Sequence, residues 1–118
     1  WTIFPHVSIA SFNGGGRSIM LSQLLPGDKP EESVTNQFYL MEKEPNEEQA
    51  KEATKQFDLL KYVVETEDYG TGLRLQKSLK TGLIDHVMFG RNEGGGQVFH
   101  KWVDKILNTE DSKLPTLF

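Results

Sequence analysis

The feature of this sequence that most constrains its fold is a change in the spacing of apolar residues at Pro45. Before Pro45, apolar and polar side chains alternate over residues 3–11, 17–24 and 34–42, which is typical of half-buried strands. After Pro45, apolar residues return every third or fourth position, as in amphipathic helices. Because short turns separate the strands, the sequence predicts an antiparallel meander followed by helices.

Turn and capping signals mark the boundaries of these elements. Residues 13–16 (NGGG) predict a hairpin turn and not a phosphate loop, since no helix and no Lys-Ser/Thr pair follow. Asn46 with Gln49 resembles a capping box at the start of the first helix. A stripe of apolar residues on this helix is predicted to face the core: Ala50, Ala53, Phe57, Leu60 and Val64.

The remaining third of the chain is predicted to contain shorter elements. The helical pattern is expected to continue after a break over residues 66–80, despite Gly70 and Gly72, with Gly82 as its stop. Residues 86–89 are a candidate strand and residues 97–107 a last helix. Residues 109–118 are polar and predict a loose tail.

Composition excludes several classes of function. The 118 residues suit one small domain, and the absence of Cys removes disulfides and thiolate metal sites from this stretch. A net charge of −4 without a basic cluster argues against nucleic-acid binding. No apolar run is long enough to cross a bilayer and no signal peptide is visible, so we expect no membrane partner and a cytoplasmic location.

One carboxylate is predicted on an apolar helix face. Asp68 shares that face with Gly72, Leu75 and Leu79 by the helical period of about 3.6 residues. A buried ionised carboxylate needs a charge partner, hydrogen bonds or a metal. Two alternative interpretations follow. Either Asp68 binds a cation, or it belongs to an ordinary acidic first turn and caps the second helix or pairs with Arg74.

Several ordered stretches resemble one known family. They are residues 3–9 (IFPHVSI), 64–70 (VETEDYG), 74–80 (RLQKSLK), 89–94 (FGRNEG) and 99–103 (FHKWV). Together they resemble the C-terminal part of the catalytic domain in the large (α) subunit of Rieske-type ring-hydroxylating oxygenases. The resemblance covers nearly the whole chain.

The resemblance implies a fold and an iron site. The expected fold is α+β, a helix-grip (Bet v 1-like) antiparallel sheet with long helices, incomplete at its N-terminal side. Residues 1–118 would form the C-terminal portion of a single catalytic domain. In the family, a mononuclear Fe(II) is held by two histidines and a carboxylate. The second acid of the pair Glu67-Asp68 matches the carboxylate, so the resemblance makes Asp68 the metal ligand.

The resemblance also implies cofactors and partners that these residues do not supply. The histidine-ligand motif is not found here, and a Rieske [2Fe–2S] cluster needs two Cys, so both are expected in a missing N-terminal part. The complete enzyme would hydroxylate or demethylate an aromatic or other organic substrate with O2. It would receive electrons from a reductase or ferredoxin and form a homotrimer. This chain alone would be inactive.

The other notable residues have weaker assignments. His6 is a candidate for the substrate pocket, or else a half-buried strand histidine with a backbone partner. His100 is expected to be a surface or packing residue, and His86 has no assigned role. Gln76 and Glu93 belong to family-like motifs and are candidates to brace nearby backbone.

Two other functions are compatible with the same elements. One is a non-enzymatic helix-grip module that binds a hydrophobic small molecule between sheet and helix. The other is an interaction subunit whose open sheet edge pairs with another chain. Iron dependence at Asp68 separates the oxygenase from the first of these.

Overall fold

The chain divides into two compact units, Trp1–Asp85 and His86–Phe118. Within them, the computed structural model describes residues 1–84 and 86–117. The first unit contains an antiparallel sheet of strands β1 (Thr2–Ile3), β2 (Val7–Phe12), β3 (Ser18–Pro26) and β4 (Ser33–Met41), in that spatial order. Its helices are α1 (Glu47–Val63), a π-helical segment (Val64–Tyr69) and α2 (Gly70–Leu79). The α+β fold expected from the sequence is therefore confirmed.

The meander is confirmed, but its first strand is divided. The stretch 3–11 was expected to be continuous, whereas β1 and β2 pair with each other, with Thr2 opposite Ser8 and Ile3 opposite Val7. Pro5 lies in the turn between them, where its lack of an N–H removes no ladder bond. The glycine turn at residues 13–16 joins β2 to β3 as predicted, with φ of 74° at Gly15.

One face of the sheet meets the helices. Tyr39 on β4 lies edge-on to Phe57 of α1, with ring centroids 6.1 Å apart. The Tyr39 hydroxyl is 2.7 Å from Ser18 Oγ and donates to the carbonyl of Gly14 at 3.3 Å. Met20 and Ala53 are the buried apolar residues among those the structure describes, so the core lies between this face and α1.

The helices begin and end at the residues that local chemistry favours. The capping box is present: Asn46 Oδ1 accepts from the Gln49 N–H at 2.9 Å, and Gln49 Oε1 accepts from the Asn46 N–H at 3.0 Å. Of the predicted stripe, Ala53 is buried and the other members are half-buried. Gly82 follows α2 with φ of 70°, as its predicted role as a stop requires.

We expect the Asn46→Ala variant to lose about 1 kcal/mol of unfolding free energy, because the first turn of α1 loses its side-chain acceptor. Urea denaturation followed by circular dichroism measures the loss. The Asn46→Ser variant keeps an acceptor oxygen and should lie within a few tenths of a kcal/mol of the parent. Equal losses in both variants would contradict a capping role.

The second unit contains helix α3 (Gly94–Leu107) and a 3₁₀ helix (Asp111–Thr116). Helix α3 begins three residues before the predicted start, and the stretch expected to be a loose tail contains the 3₁₀ helix; Phe118 lies outside the described residues. Residues 86–89 form no strand, so that prediction is wrong.

Glu93 braces the loop before α3, since its carboxylate accepts from the Gly90 N–H. Within the described ranges, no helix has the length and apolar character that a bilayer span requires.

Candidate functional site

A cleft of about 780 Å³ lies between β4 and the helices of the first unit. We call it the sheet–helix cleft. Its sheet wall is polar, because alternate residues in the first half of β4 line it: Ser33, Thr35 and Gln37. Its helix wall combines the apolar side chains of Phe57, Val64 and Leu73 with the polar side chains of Lys61, Tyr69 and Gln76.

The cleft exists because sheet and helices are held together on either side of it. On one side, the glycine turn packs so closely on α1 that a Cβ on Gly15 would lie 2.3 Å from the Gln49 carbonyl oxygen. On the other side, Lys80 Nζ donates to Glu31 Oε1 at 2.5 Å, which joins the end of α2 to the β3–β4 loop. Between these contacts, Thr35 and Gln37 of β4 line the cleft together with Phe57, Val64 and Leu73 of the helices.

A hydroxyl pair also crosses the cleft. Tyr69, the last residue of the π-helical segment, shares a hydrogen bond with Thr35 Oγ1 on β4. Among the described residues, this is the one side-chain hydrogen bond between the π-helical segment and the sheet. It therefore determines which side of the segment faces the cleft.

We expect the Tyr69→Phe variant to lose about 1 kcal/mol of unfolding free energy, the usual net contribution of a hydrogen bond. Tyr62→Phe is the matched control, because Tyr62 lies two turns earlier and the residue is 62% exposed. Urea denaturation of both variants measures the difference. Equal stability of the two would show that the Thr35–Tyr69 contact does not hold the segment in solution.

The ion pair between Glu31 and Lys80 shifts the titration of the carboxyl group. The hydrogen bond from Lys80, helped by a backbone hydrogen bond and by the lysine's charge, lowers the pKa of Glu31 below its ordinary value. A carboxyl with a lowered pKa in the folded state stabilises the fold above its unfolded pKa, and this contribution is lost as the pH falls through the folded pKa. The contact at this end of the cleft is therefore intact at neutral pH and is weakened by acid.

Asp68 does not lie where the helical period placed it. Its side chain is exposed, it does not line the sheet–helix cleft, and Leu75 is itself 46% exposed. The prediction that Asp68 points toward a buried leucine face is therefore wrong. The reason is the π-helical segment, in which the Gly70 N–H bonds to the Glu65 carbonyl five residues back. A π-helical turn contains one more residue than an α-helical turn. Asp68 and Gly72 therefore no longer share one face of the helix.

The structure also excludes both of the ordinary roles that the sequence left open for Asp68. Neither the π-helical segment nor α2 has a side-chain cap. Arg74 donates to Thr71 Oγ1 at 3.0 Å instead of pairing with Asp68. Within the described ranges, the Asp68 carboxylate has no hydrogen bond or ion pair, and it is free to bind a cation.

The histidines do not gather around Asp68. His6 is half-buried in the β1–β2 turn and not on a strand, and its carbonyl accepts from the Leu24 N–H at 2.8 Å. It does not line the sheet–helix cleft. His100, in the second unit, is exposed and packs against the rings of Phe89 and Phe99 at 5.3 and 5.8 Å. This agrees with a packing role for His100.

Asp68 does not form a metal site with other described residues. The described residues contain no cluster of three or more His, Cys, Asp or Glu side chains that could hold a metal ion. A free carboxylate on a short π-helical segment nevertheless suits one ligand of a two-histidine, one-carboxylate site, since π-helical turns are frequent at functional sites. Glu67, the neighbouring acid, is equally exposed.

The sequence interpretation missed the polar wall of the cleft. Gln37 received no role, and Gln76 was assigned only to bracing backbone, yet both side chains line the cleft. The signal was present in β4, where polar residues occupy positions 33, 35 and 37 in alternation. Only the tertiary structure shows that this alternation faces the helix.

The comparisons with known proteins identify the family of the chain. Residues 1–109 match the family model described as "Ring hydroxylating alpha subunit (catalytic domain)". No curated protein and no solved structure gave a match.

Proposed function

Because this chain belongs to the family of ring-hydroxylating α-subunit catalytic domains, we propose that it is part of an oxygenase that binds a mononuclear iron through Asp68. The observation that carries the proposal is the free Asp68 carboxylate on the π-helical segment, directly before the residue that closes onto β4. When bound, the iron would supply the activation of O2. Asp68 would hold it and balance part of its charge.

The proposal divides the site between this chain and other polypeptide. The family's ligand set needs two imidazoles, and the described residues offer no histidine beside Asp68. We propose that both histidines and a Rieske [2Fe–2S] cluster lie outside these 118 residues, which form the C-terminal portion of the catalytic domain. Electrons would come from a reductase or ferredoxin, and the complete enzyme would be a homotrimer in the cytoplasm.

The sheet–helix cleft is the proposed substrate site. It lies beside the π-helical segment, and Tyr69, the residue after Asp68, lines it. Phe57, Val64 and Leu73 offer apolar contact to an aromatic or other organic molecule. In this role, the residues of the chain orient the substrate, and the hydroxylation or demethylation would use O2.

Isotope incorporation tests the proposal against the ligand-carrier alternative. The full-length protein is loaded with Fe(II), reduced with dithionite and exposed to ¹⁸O₂ with naphthalene or 2-naphthol as the probe. We expect ¹⁸O in an organic product. Binding of both probes without iron in the protein and without label in any product would instead establish a non-enzymatic carrier.

A further inference from the structure

The sheet–helix cleft presents two carboxamides, on Gln37 and Gln76, that the described residues leave with unused hydrogen-bonding atoms. Gln37 on β4 makes one long hydrogen bond, from its Nε2 to Ser22 Oγ at 3.4 Å, and its side-chain oxygen has no donor among the described residues. Gln76 on α2 lines the opposite wall, and the described residues offer its side chain no hydrogen bond. Both side chains are half-buried. Their unused donor and acceptor atoms can therefore bind a polar group that enters the cleft.

The charges around the cleft are already balanced. Each carboxylate that lines it has a lysine close by. The pairs are Glu31 with Lys80 at 2.5 Å, Glu32 with Lys29 at 3.2 Å and Glu65 with Lys61 at 3.9 Å. Among the described residues that line the cleft, Lys61 already pairs with Glu65, so an added carboxylate would have to share this ammonium with Glu65.

We infer that the cleft recognises a neutral organic molecule with an apolar body and a hydroxyl, carbonyl or amide substituent, which Gln37 and Gln76 bind. This inference rests on the proposed function, because it takes the cleft as the substrate site. The apolar body contacts Phe57, Val64 and Leu73. A pure hydrocarbon would bury the two carboxamides without offering them a hydrogen bond. Burying an amide without a hydrogen-bond partner costs more binding free energy than a single hydrogen bond contributes.

Three bicyclic probes of similar size test the inference by direct binding to iron-free protein: naphthalene, 2-naphthol and 2-naphthoate. We expect 2-naphthol to bind roughly tenfold more tightly than naphthalene, which corresponds to one satisfied polar group. We expect 2-naphthoate to bind more weakly than 2-naphthol. Fluorescence titration of the probes measures all three affinities.

Glutamine-to-leucine variants assign the preference to the cleft. We expect Gln37→Leu or Gln76→Leu to bring the affinities for 2-naphthol and naphthalene together. Gln23→Leu is the matched control, since Gln23 lies on β3 between the cleft-facing positions and points to the other face of the sheet. It should keep the preference. Circular dichroism of each variant establishes that the fold is retained.

The possible failures are distinguishable. Equal affinity of the parent protein for naphthalene and 2-naphthol, or a preference that survives both cleft substitutions, overturns the inference and leaves the proposed oxygenase function standing. Failure of every probe to bind overturns the inference and the cleft as substrate site. Because the protein is iron-free, neither result bears on the binding of iron by Asp68.

Discussion

Replacing Gly15 with alanine is expected to destabilise the first unit by about 4 kcal/mol. Gly15 has φ of 74°, a conformation that costs other residues about 1–2 kcal/mol. Its added Cβ would also lie 2.3 Å from the Gln49 carbonyl oxygen and 3.0 Å from the Ala53 nitrogen. Because these atoms belong to the backbone of α1, the helix or the turn must move, and such overpacking costs about 1–3 kcal/mol more.

Gly82 separates the two contributions. Its φ is 70°, but a Cβ there would meet nothing within 4 Å. Gly82→Ala therefore carries only the backbone contribution, about 1–2 kcal/mol. Urea denaturation of both variants gives the difference, which measures how tightly the glycine turn holds α1. Similar losses at the two positions would mean that the turn and α1 are not in contact in solution.

The second large effect is expected at Asp68. In the full-length protein, Asp68→Asn should lower the affinity for Fe(II) by more than about 100-fold, since even residues that merely orient metal ligands contribute 10–100-fold. The substitution keeps the size of the side chain and removes its charge. Because Asp68 is exposed and has no partner among the described residues, we expect the unfolding free energy to change by less than about 0.5 kcal/mol.

Glu67→Gln is the matched control for Asp68. Glu67 is adjacent, acidic and exposed, and it lies in the same π-helical segment. The Glu67→Gln variant should retain Fe(II), which is measured as the metal that stays bound after gel filtration under anaerobic conditions. Loss of iron from Glu67→Gln with retention by Asp68→Asn would transfer the ligand role to Glu67. Retention by both variants would remove the segment from the metal site.

The elements that could be predicted from the sequence are those determined by neighbouring residues. Asn46 and Gln49 form their capping box within a single turn, so local chemistry sufficed. Gly82 adopts the positive φ expected of a helix stop. The division of the first strand at Pro5 was harder to predict from the sequence, because the alternation of apolar residues continues across the turn. The sequence pattern alone cannot distinguish one strand from two short strands that pair.

The features that were missed depend on the tertiary structure. The π-helical segment changes which residues share a face, and the period used for Asp68 assumed an unbroken α-helix. The choice of sheet face was also open: β4 carries apolar residues on one face and polar residues on the other. The structure directs Thr35 and Gln37 toward the helices, while Phe38 and Leu40 are both 49% exposed. The π-helical segment has no local signature in the sequence, and the alternation in β4 does not itself show which face meets the helices.

The proposed binding of iron by Asp68 can be tested with an anomalous difference map at the iron absorption edge, from crystals of the full-length protein grown anaerobically with Fe(II). We expect one strong peak within bonding distance of the Asp68 carboxylate, with two imidazole nitrogens completing the protein ligands. An iron peak coordinated by other residues, with Asp68 left in solvent, would contradict it.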